Sequence, residues 1–228
     1  MQDIDEEALR DLARRTGKRI HLLRAMGTFV AEGLPLVLVA PQATAAEAAA
    51  LLAAIDLGPI RTMQRDVEFG VRKIVDVALK AISPAVNDPS TAATCIDHLG
   101  RLSVRMAGRR PVAVDRGGLV LPQTTLADLV DLSFEQLRQY GRTDMAVGLR
   151  LMRVLGEVAS VTRDAATLAR IATHARLLES AARAAFPAED CDELGRRRAI
   201  VARWTCADPV PSADLPPLTG AGAAGLAG

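Results

Sequence analysis

The chain has 228 residues and is 50% hydrophobic, so it can bury a sizeable core in one large domain or two small ones. Its 28 Lys and Arg residues balance 27 Asp and Glu residues, and a net charge of +1 gives no global reason to expect a nucleic-acid partner. Three cysteines, without the spacing of a metal or redox motif, fit a reduced, cytoplasmic protein. No apolar run is long and uninterrupted enough to span a bilayer.

The first 40 or so residues predict a helix followed by a small β module. Asp5 is placed to cap a helix over residues 5 to 16 that Gly17 ends, and an apolar strand follows. Residues 27 to 36 then resemble the G-x-x-V-x-x-G-x-P-L turn of biotinyl/lipoyl-like barrel-sandwich domains. That resemblance implies a small barrel-sandwich. The lysine that would carry a cofactor is missing, so neither biotin nor lipoate is implied and the cofactor is left unknown.

A second helix of this module begins with a capping box. Thr44 and Glu47 have the Ser/Thr-x-x-Glu spacing ahead of an alanine-rich apolar run, and Gly58 is placed to end the helix. Pro59 then marks the boundary with the region that follows.

Residues 65 to 99 carry the densest structural signals and predict two helices joined at a sharp corner. Apolar residues from Val67 to Ile82 recur at helical spacing, and charged residues of alternating sign lie on the opposite side. Pro84 ends the first helix because it disfavours helical backbone in the residue before it. The Asn87-Asp88-Pro89 triplet supplies an N-cap acceptor and a proline at the first helical position, so a second helix starts there.

Beyond this corner the sequence predicts further helices and one hairpin. The alternating segment around residues 112 to 121 predicts a β-hairpin on the surface between helices. Capped helices then begin near Thr125, Asp144 and Asp164.

The predicted fold is therefore mainly α with a small β part. A barrel-sandwich-like α+β module occupies residues 1–58, and a helical bundle that carries the hairpin occupies residues 59–204. Residues 205–228 are rich in Pro, Gly and Ala with few large apolar side chains, so a disordered tail is expected there.

The central motif resembles the signature of a bacterial family. It runs from Asp66-Val67-Glu68-Phe69-Gly70-Val71-Arg72 through Ala81-Ile82-Ser83-Pro84-Ala85-Val86-Asn87-Asp88-Pro89 to Cys95-Ile96-Asp97, and weaker similarity covers most of the chain before the tail. This pattern is similar to domain of unknown function 2254, a family of predicted membrane proteins. Its members carry membrane-spanning helices upstream of the matched region, so the resemblance implies the soluble portion of such a protein, detached or truncated. It implies no reaction and no catalytic residues.

Carboxylate and imidazole side chains on the central helices could serve a metal-dependent hydrolase if the helices pack antiparallel. The local spacing favours helix caps and ion pairs instead, because three acid–base pairs stand at i,i+4. Those pairs are Glu68–Arg72, Asp76–Lys80 and Asp97–Arg101. The hydrolase would use Asp66, Glu68, Asp88 and His98. The whole candidate functional surface comprises Asp66, Glu68, Arg72, Asp76, Asn87, Asp88, Asp97 and His98, with the catalytic residues unknown and no metal assigned.

The remaining nucleophiles and histidines predict no site. Cys95 and Cys191 lack Cys-x-x-Cys or Cys/His spacing, and neither a base nor an elbow motif accompanies the serines near the corner. His174 stands alone in its helical segment, so we expect a surface histidine rather than a metal ligand.

A basic cluster in the last helix is a second candidate surface. Arginines beside an aromatic side chain suit contact with phosphates or an anionic lipid surface. Acidic residues precede the cluster, however, and acid at the start with base at the end of a helix is also what the helix dipole favours. The cluster consists of Arg196, Arg197, Arg198, Arg203 and Trp204.

The sequence thus favours a non-enzymatic cytoplasmic sensor or scaffold domain that binds an unidentified protein or small ligand. The charged face of the central helices and the Asn87-Asp88 corner would form the binding surface. Nucleic acid is not expected, and membrane contact is expected only through the upstream segment or weak peripheral binding at the inner face. The metal-dependent hydrolase is the alternative, and a homo-oligomer is left open.

Overall fold

A computed structural model describes residues 1–58, 66–109, 115 and 117–205, which form eight helices and five short strands. The N-terminal elements are β1 (Asp3–Ile4), α1 (Glu6–Thr16), β2 (Arg19–Leu22), β3 (Val37–Ala40), α2 (Ala45–Ala53) and β4 (Ile55–Asp56). The later elements are α3 (Val67–Ala81), α4 (Pro89–Ala107), β5 (Leu119–Val120), α5 (Leu126–Tyr140), α6 (Met145–Val161), α7 (Ala165–Ala185) and α8 (Ala188–Thr205).

Side-chain caps open most of these helices where the sequence predicts them. Asp5 caps α1 by accepting a hydrogen bond from the Ala8 N–H, and Gly17 ends that helix in the left-handed conformation. Thr44 and Thr125 open α2 and α5 as complete capping boxes. The other helices with an aspartate N-cap are α3, α4, α6 and α7, capped by Asp66, Asp88, Asp144 and Asp164.

The end of α2 differs from the prediction. The helix is capped at Ala54 rather than at Gly58, because Ile55 and Asp56 already form β4. That strand pairs antiparallel with β1, so its backbone groups are bonded across a sheet and cannot continue the helix.

The larger hydrophobic core belongs to the bundle of α3 to α8. In this bundle α3 packs against α4 and α5, while α6 packs against α4, α7 and α8. Each helix buries one apolar stripe, as its 3.6-residue periodicity predicts. The largest fully buried side chains of this core are Ile96, Leu99, Leu129, Phe134, Leu137, Leu151, Met152 and Leu155.

The β part consists of two small sheets, and within the described residues neither closes into a barrel. One sheet pairs β1 with β4, and the other has the order β3-β2-β5. In the second sheet β2 is antiparallel to β3 and parallel to β5. The prediction of a mainly α fold with a small β part is confirmed, but three short strands are too few to complete the barrel that the glycine turn suggested.

The predicted hairpin lies partly outside the described residues, which include Asp115 and 117–121 of it. Asp115 bridges Val120 in antiparallel fashion, and β5 joins β2. Leu119 and Leu121 are buried in a second hydrophobic core with residues of the N-terminal module. The expected position on the surface is therefore wrong, because this segment supplies a strand to the N-terminal sheet.

Two further predictions concern residues outside the described ranges, namely the linker at Pro59 and the tail after Thr205. The division into domains stays a prediction. The second core spans that predicted boundary, because it combines residues 1 to 55 with the two leucines near β5.

Candidate functional site

The corner between α3 and α4 is closed by its own backbone. Asn87 has a φ of +47°, a left-handed conformation that Asn adopts more readily than most residues. Its N–H donates to the Ser83 carbonyl at 2.9 Å, and the Asp88 N–H donates to the Ala81 carbonyl at 2.8 Å. The second bond satisfies a carbonyl of the last turn of α3, and the first closes the turn that follows this helix and leads towards α4.

Asp88 caps α4 with a fully engaged carboxylate. The Thr91 N–H and hydroxyl donate to it at 3.1 and 2.5 Å, and the Ser90 hydroxyl donates at 2.8 Å. These donors, the Thr91 hydroxyl first, lower the pKa of Asp88 to about 2. The carboxylate therefore stays ionised at neutral pH and serves the helix end.

Two more predicted site residues connect α3 to its surroundings. Asp66 is 8% exposed and accepts a hydrogen bond from the Phe69 N–H at 2.9 Å as the N-cap of α3. Glu68 accepts a hydrogen bond from the Thr124 hydroxyl at 2.7 Å, which ties α3 to the segment just before α5. Both carboxylates thus have structural partners.

The acidic and basic residues of α3 and α4 do not form the predicted i,i+4 pairs. Asp97 accepts a hydrogen bond from Arg153 of α6 at 2.7 Å and lies 3.5 Å from Arg150, so it pairs between helices and not with Arg101. Among the described residues, none of the three predicted pairs lies within ion-pair distance. Arg72, Asp76 and Lys80 are exposed on α3.

Asp88 lies far along the helices from two of the other proposed hydrolase residues. His98 lies ten residues after Asp88 on α4, which corresponds to about 15 Å of helix. Asp66 and Asp88 flank the 15 residues of α3, so about 22 Å of helix separates them. In the parts of the chain that the structure describes, no three His, Cys, Asp or Glu side chains come together as metal ligands.

His98 instead lines an outer groove between α3 and α4. The groove has a volume of about 270 Å³, and its lining combines apolar and basic side chains. The lining residues are Ile74, His98, Arg101, Leu102 and Arg105. Of the eight predicted surface residues only His98 is among them, so sequence reasoning missed the two arginines that are its neighbours on α4.

The C-terminal basic cluster is largely held within the bundle. Arg196 and Arg197 donate to Glu193 at 2.9 and 2.8 Å, and these contacts, with Arg197 first, lower the pKa of Glu193. Arg197 also donates to the Leu149 carbonyl of α6 at 2.9 Å. Trp204 packs against the larger core. Arg198 is half-buried and Arg203 is exposed, so contact of this cluster with an anionic surface stays a prediction.

One contact between a buried histidine and a half-buried aspartate is not predicted by the sequence. His174 is 5% exposed, and its Nε2 lies 2.8 Å from Asp131 Oδ1 on α5. Arg170 lies 3.3 Å from the other oxygen of the same carboxylate. The expectation of an isolated surface histidine is wrong, since the pair joins α7 to α5. Its members are 43 residues apart, and no local spacing could reveal it.

These features define a helical-bundle domain with a small β module, in which Asp66, Asp88 and Asp97 of the central motif serve helix ends and helix contacts. The chain belongs to the DUF2254 family of predicted membrane proteins, whose family model matches residues 1–157. The resemblance inferred from the central motif is thereby confirmed. None of the described helices combines the length and the apolar composition needed to cross a membrane.

Mycobacterial proteins are among the relatives of this chain. It is 30% identical over 201 residues to the uncharacterised proteins Mb1321c of Mycobacterium bovis and Rv1290c of Mycobacterium tuberculosis, a match covering 83% of this chain and 39% of each relative. It is 34% identical over 141 residues to the uncharacterised protein MT1328 of Mycobacterium tuberculosis, covering 59% of this chain and 27% of that protein. The chain thus spans about two fifths of the length of the first two relatives. No solved structure matches.

Proposed function

We propose that this chain is the water-exposed, cytoplasmic domain of a membrane-anchored protein and works there as a non-enzymatic sensor or scaffold that binds a partner. The outer surface of the bundle supports a position in water. Ion pairs on this surface, such as Arg183–Glu179 on α7 and Arg196–Glu193 on α8, are partly exposed. Lipid would leave such charges unsolvated.

The assignment of a binding role rests on one observation. The carboxylates that could have served catalysis are already engaged, Asp66 and Asp88 as N-caps and Asp97 by arginines of α6. Within the described residues, no carboxylate forms an ion pair with the cationic side chains of the α3/α4 groove, which supports a role of this surface in recognition. The buried free cysteines Cys95 and Cys191 support the cytoplasmic location, since thiols persist in a reducing compartment.

A metal analysis of the purified chain, combined with phosphatase and esterase assays, tests the non-enzymatic assignment. We expect less than one metal ion per chain and no turnover above that of an Asp66→Asn/His98→Ala variant. Turnover or stoichiometric metal that this variant loses would establish the hydrolase instead. Recovery of the tagged chain in the membrane fraction after a high-salt wash would contradict the water-exposed position, because salt screens a surface attachment but not insertion.

A further inference from the structure

We propose that the α3/α4 groove binds an acidic amphipathic helix of a partner protein. This inference depends on the proposed binding role and adds to it the place of binding and the chemistry of the partner. We name this surface the basic groove and define it by its lining residues, Ile74, His98, Arg101, Leu102 and Arg105.

The α4 side of the basic groove is cationic. His98, Arg101 and Arg105 are all exposed and follow one another at helical spacing along one side of α4. Half-buried Ile74 of α3 and Leu102 of α4 lie beside this row and form the apolar floor. The groove thus presents an apolar strip with a basic edge.

The α3 side continues the same pattern. Val77 is 51% exposed and lies three residues after Ile74, so the apolar strip extends along α3. Lys73 lies four residues before Val77 and Lys80 three residues after it, and both are exposed. This helical spacing places them beside the strip. Lys73 Nζ lies 5.0 Å from the centre of the Phe69 ring, a contact that keeps its charge close to the helix.

No acid of the described residues neutralises the arginines of the basic groove. Asp97, the acid four residues before Arg101, is paired with Arg153 on the neighbouring helix. Neither Arg101 nor Arg105 forms an ion pair within the described part of the chain. Each guanidinium can therefore bind a carboxylate through two parallel hydrogen bonds, and the two stand one helical turn apart. Charge complementarity calls for an occupant with acidic side chains.

The shape of the groove favours a helix over a small molecule. Two packed helices leave an outer furrow into which a third helix can place side chains at i, i+3 or i+4, and i+7. A cavity of about 270 Å³ that is open along its side would enclose too little of a small molecule to bind it well. An amphipathic helix would instead set apolar residues on Ile74, Val77 and Leu102 and acidic residues on the flanking cations.

A second copy of the chain fits less well. A two-fold symmetric contact through this face would bring Arg101 and Arg105 of both copies together, and like charges at an interface oppose association. A membrane surface also fits less well, because a flat surface would contact the exposed arginines but not the half-buried Ile74 and Leu102.

The experiment uses the 228-residue chain and a fluorescent synthetic peptide. The peptide is a helix of about four turns with leucines at i, i+3 and i+7 and glutamates beside them, and a control peptide has lysines in place of the glutamates. We expect the acidic peptide to raise the fluorescence anisotropy on binding and the lysine peptide to have no effect. Arg101→Glu/Arg105→Glu should weaken binding at least about tenfold, since two carboxylate contacts become repulsive.

Two control variants separate the groove from bulk charge and from folding. Arg15→Glu/Arg142→Glu makes the same change of charge at exposed positions elsewhere and should bind the acidic peptide like the parent. Val77→Asn should weaken binding without altering the circular dichroism spectrum, because it removes only part of the apolar strip.

Several results would overturn the inference. One is that the acidic peptide does not bind. Another is that both double charge variants weaken peptide binding equally. A third is that phosphatidylglycerol vesicles bind in place of the peptide, in a way that depends on Arg101 and Arg105. Self-association that Arg101→Glu/Arg105→Glu abolishes would also overturn it and point to a second copy. Turnover in the hydrolase assays would refute the non-enzymatic proposal while leaving the peptide measurement to decide the groove.

Discussion

Asp97 of α4 holds Arg153 of α6 at 2.7 Å, and this contact between helices leaves Arg101, the partner expected from local spacing, without an ion pair in the described part of the chain. Asp97 and Arg153 are 28% and 43% exposed, so water weakens their attraction but does not abolish it. One carboxylate thereby joins two helices and determines which arginines remain available to a partner.

A double-mutant cycle of Asp97→Ala and Arg153→Ala should measure this contact. We expect a coupling free energy of about 0.2–1 kcal/mol in urea unfolding, the range of partly exposed ion pairs. The matched cycle of Asp97→Ala and Arg101→Ala should give a coupling near zero. A larger coupling to Arg101 than to Arg153 would show that the helical pair forms in solution and that the groove has less free charge than inferred.

This pair also illustrates what the sequence could and could not predict. N-caps such as Asp88 and Thr44 bond to a backbone group three residues away, so a short stretch of sequence contains both partners. Asp97 and Arg153 are 56 residues apart, and their contact requires that α4 and α6 pack against each other. Arg101 stands four residues after Asp97, at the usual spacing of an ion pair on a helix, so the sequence predicts Arg101 as the partner instead.

The same limit applies to the candidate site and to the sheet. The sequence predicts His98 as part of a candidate functional surface, but the composition of the basic groove depends on which arginines the neighbouring helices engage, and only the packing decides that. The alternation around β5 correctly predicted a strand. Its partner β2 lies about 100 residues away, so no local pattern indicates that this strand belongs to the N-terminal sheet.

Gly100 of α4 packs closely against Val154 of α6. A Cβ atom at this buried position would lie 2.6 Å from Val154 Cγ1, and a β-branched side chain in a helix has little freedom to move away. Gly100→Ala should therefore destabilise the protein by about 1–3 kcal/mol through overpacking. Adding Val154→Ala should recover part of that loss in urea unfolding.

Gly148 on α6 is the matched control for this substitution. A Cβ atom there would lie 3.9 Å from Leu178 Cδ1, an ordinary contact, so Gly148→Ala should be neutral or stabilising because alanine favours helix. Equal tolerance of Gly100→Ala and Gly148→Ala would show that α4 and α6 lie farther apart at Gly100 than the contact with Val154 implies.

The hydrogen bond between buried His174 and half-buried Asp131 should contribute to stability. Asp131→Ala would leave the Nε2 atom of a histidine that is 5% exposed without its partner, which typically costs about 1–3 kcal/mol. Arg170 contacts the same carboxylate but is 60% exposed, so Arg170→Ala should cost less than about 1 kcal/mol. Urea unfolding of the two variants at neutral pH makes the comparison, and equal losses would show that the histidine bond adds nothing beyond the surface contact.

The charge of Asp88 should make the corner between α3 and α4 sensitive to acid. Its pKa is lowered to about 2 in the folded protein by the Thr91 and Ser90 donors, against about 3.9 for an unperturbed aspartate in the unfolded chain. A group whose pKa is lowered by folding stabilises the fold above its unfolded pKa, and that contribution is lost as the pH falls through the folded pKa. The relevant window therefore extends from about pH 4 down to about pH 2.

Asp88→Asn keeps the N-cap acceptor and removes the titration. We expect the parent to have the higher urea midpoint above pH 4 and its advantage over Asp88→Asn to shrink as the pH is lowered through this window, while the other carboxylates act equally in both proteins. Asp88→Ala, which also removes the cap, should lower the midpoint at every pH because the Thr91 N–H loses its acceptor. The urea midpoints of the parent and Asp88→Asn could instead differ by the same amount at pH 6 and at the lowest pH where both fold. In that case the hydrogen bonds do not distinguish the ionised carboxylate from a neutral amide. The corner would then depend on the geometry of the cap and not on its charge.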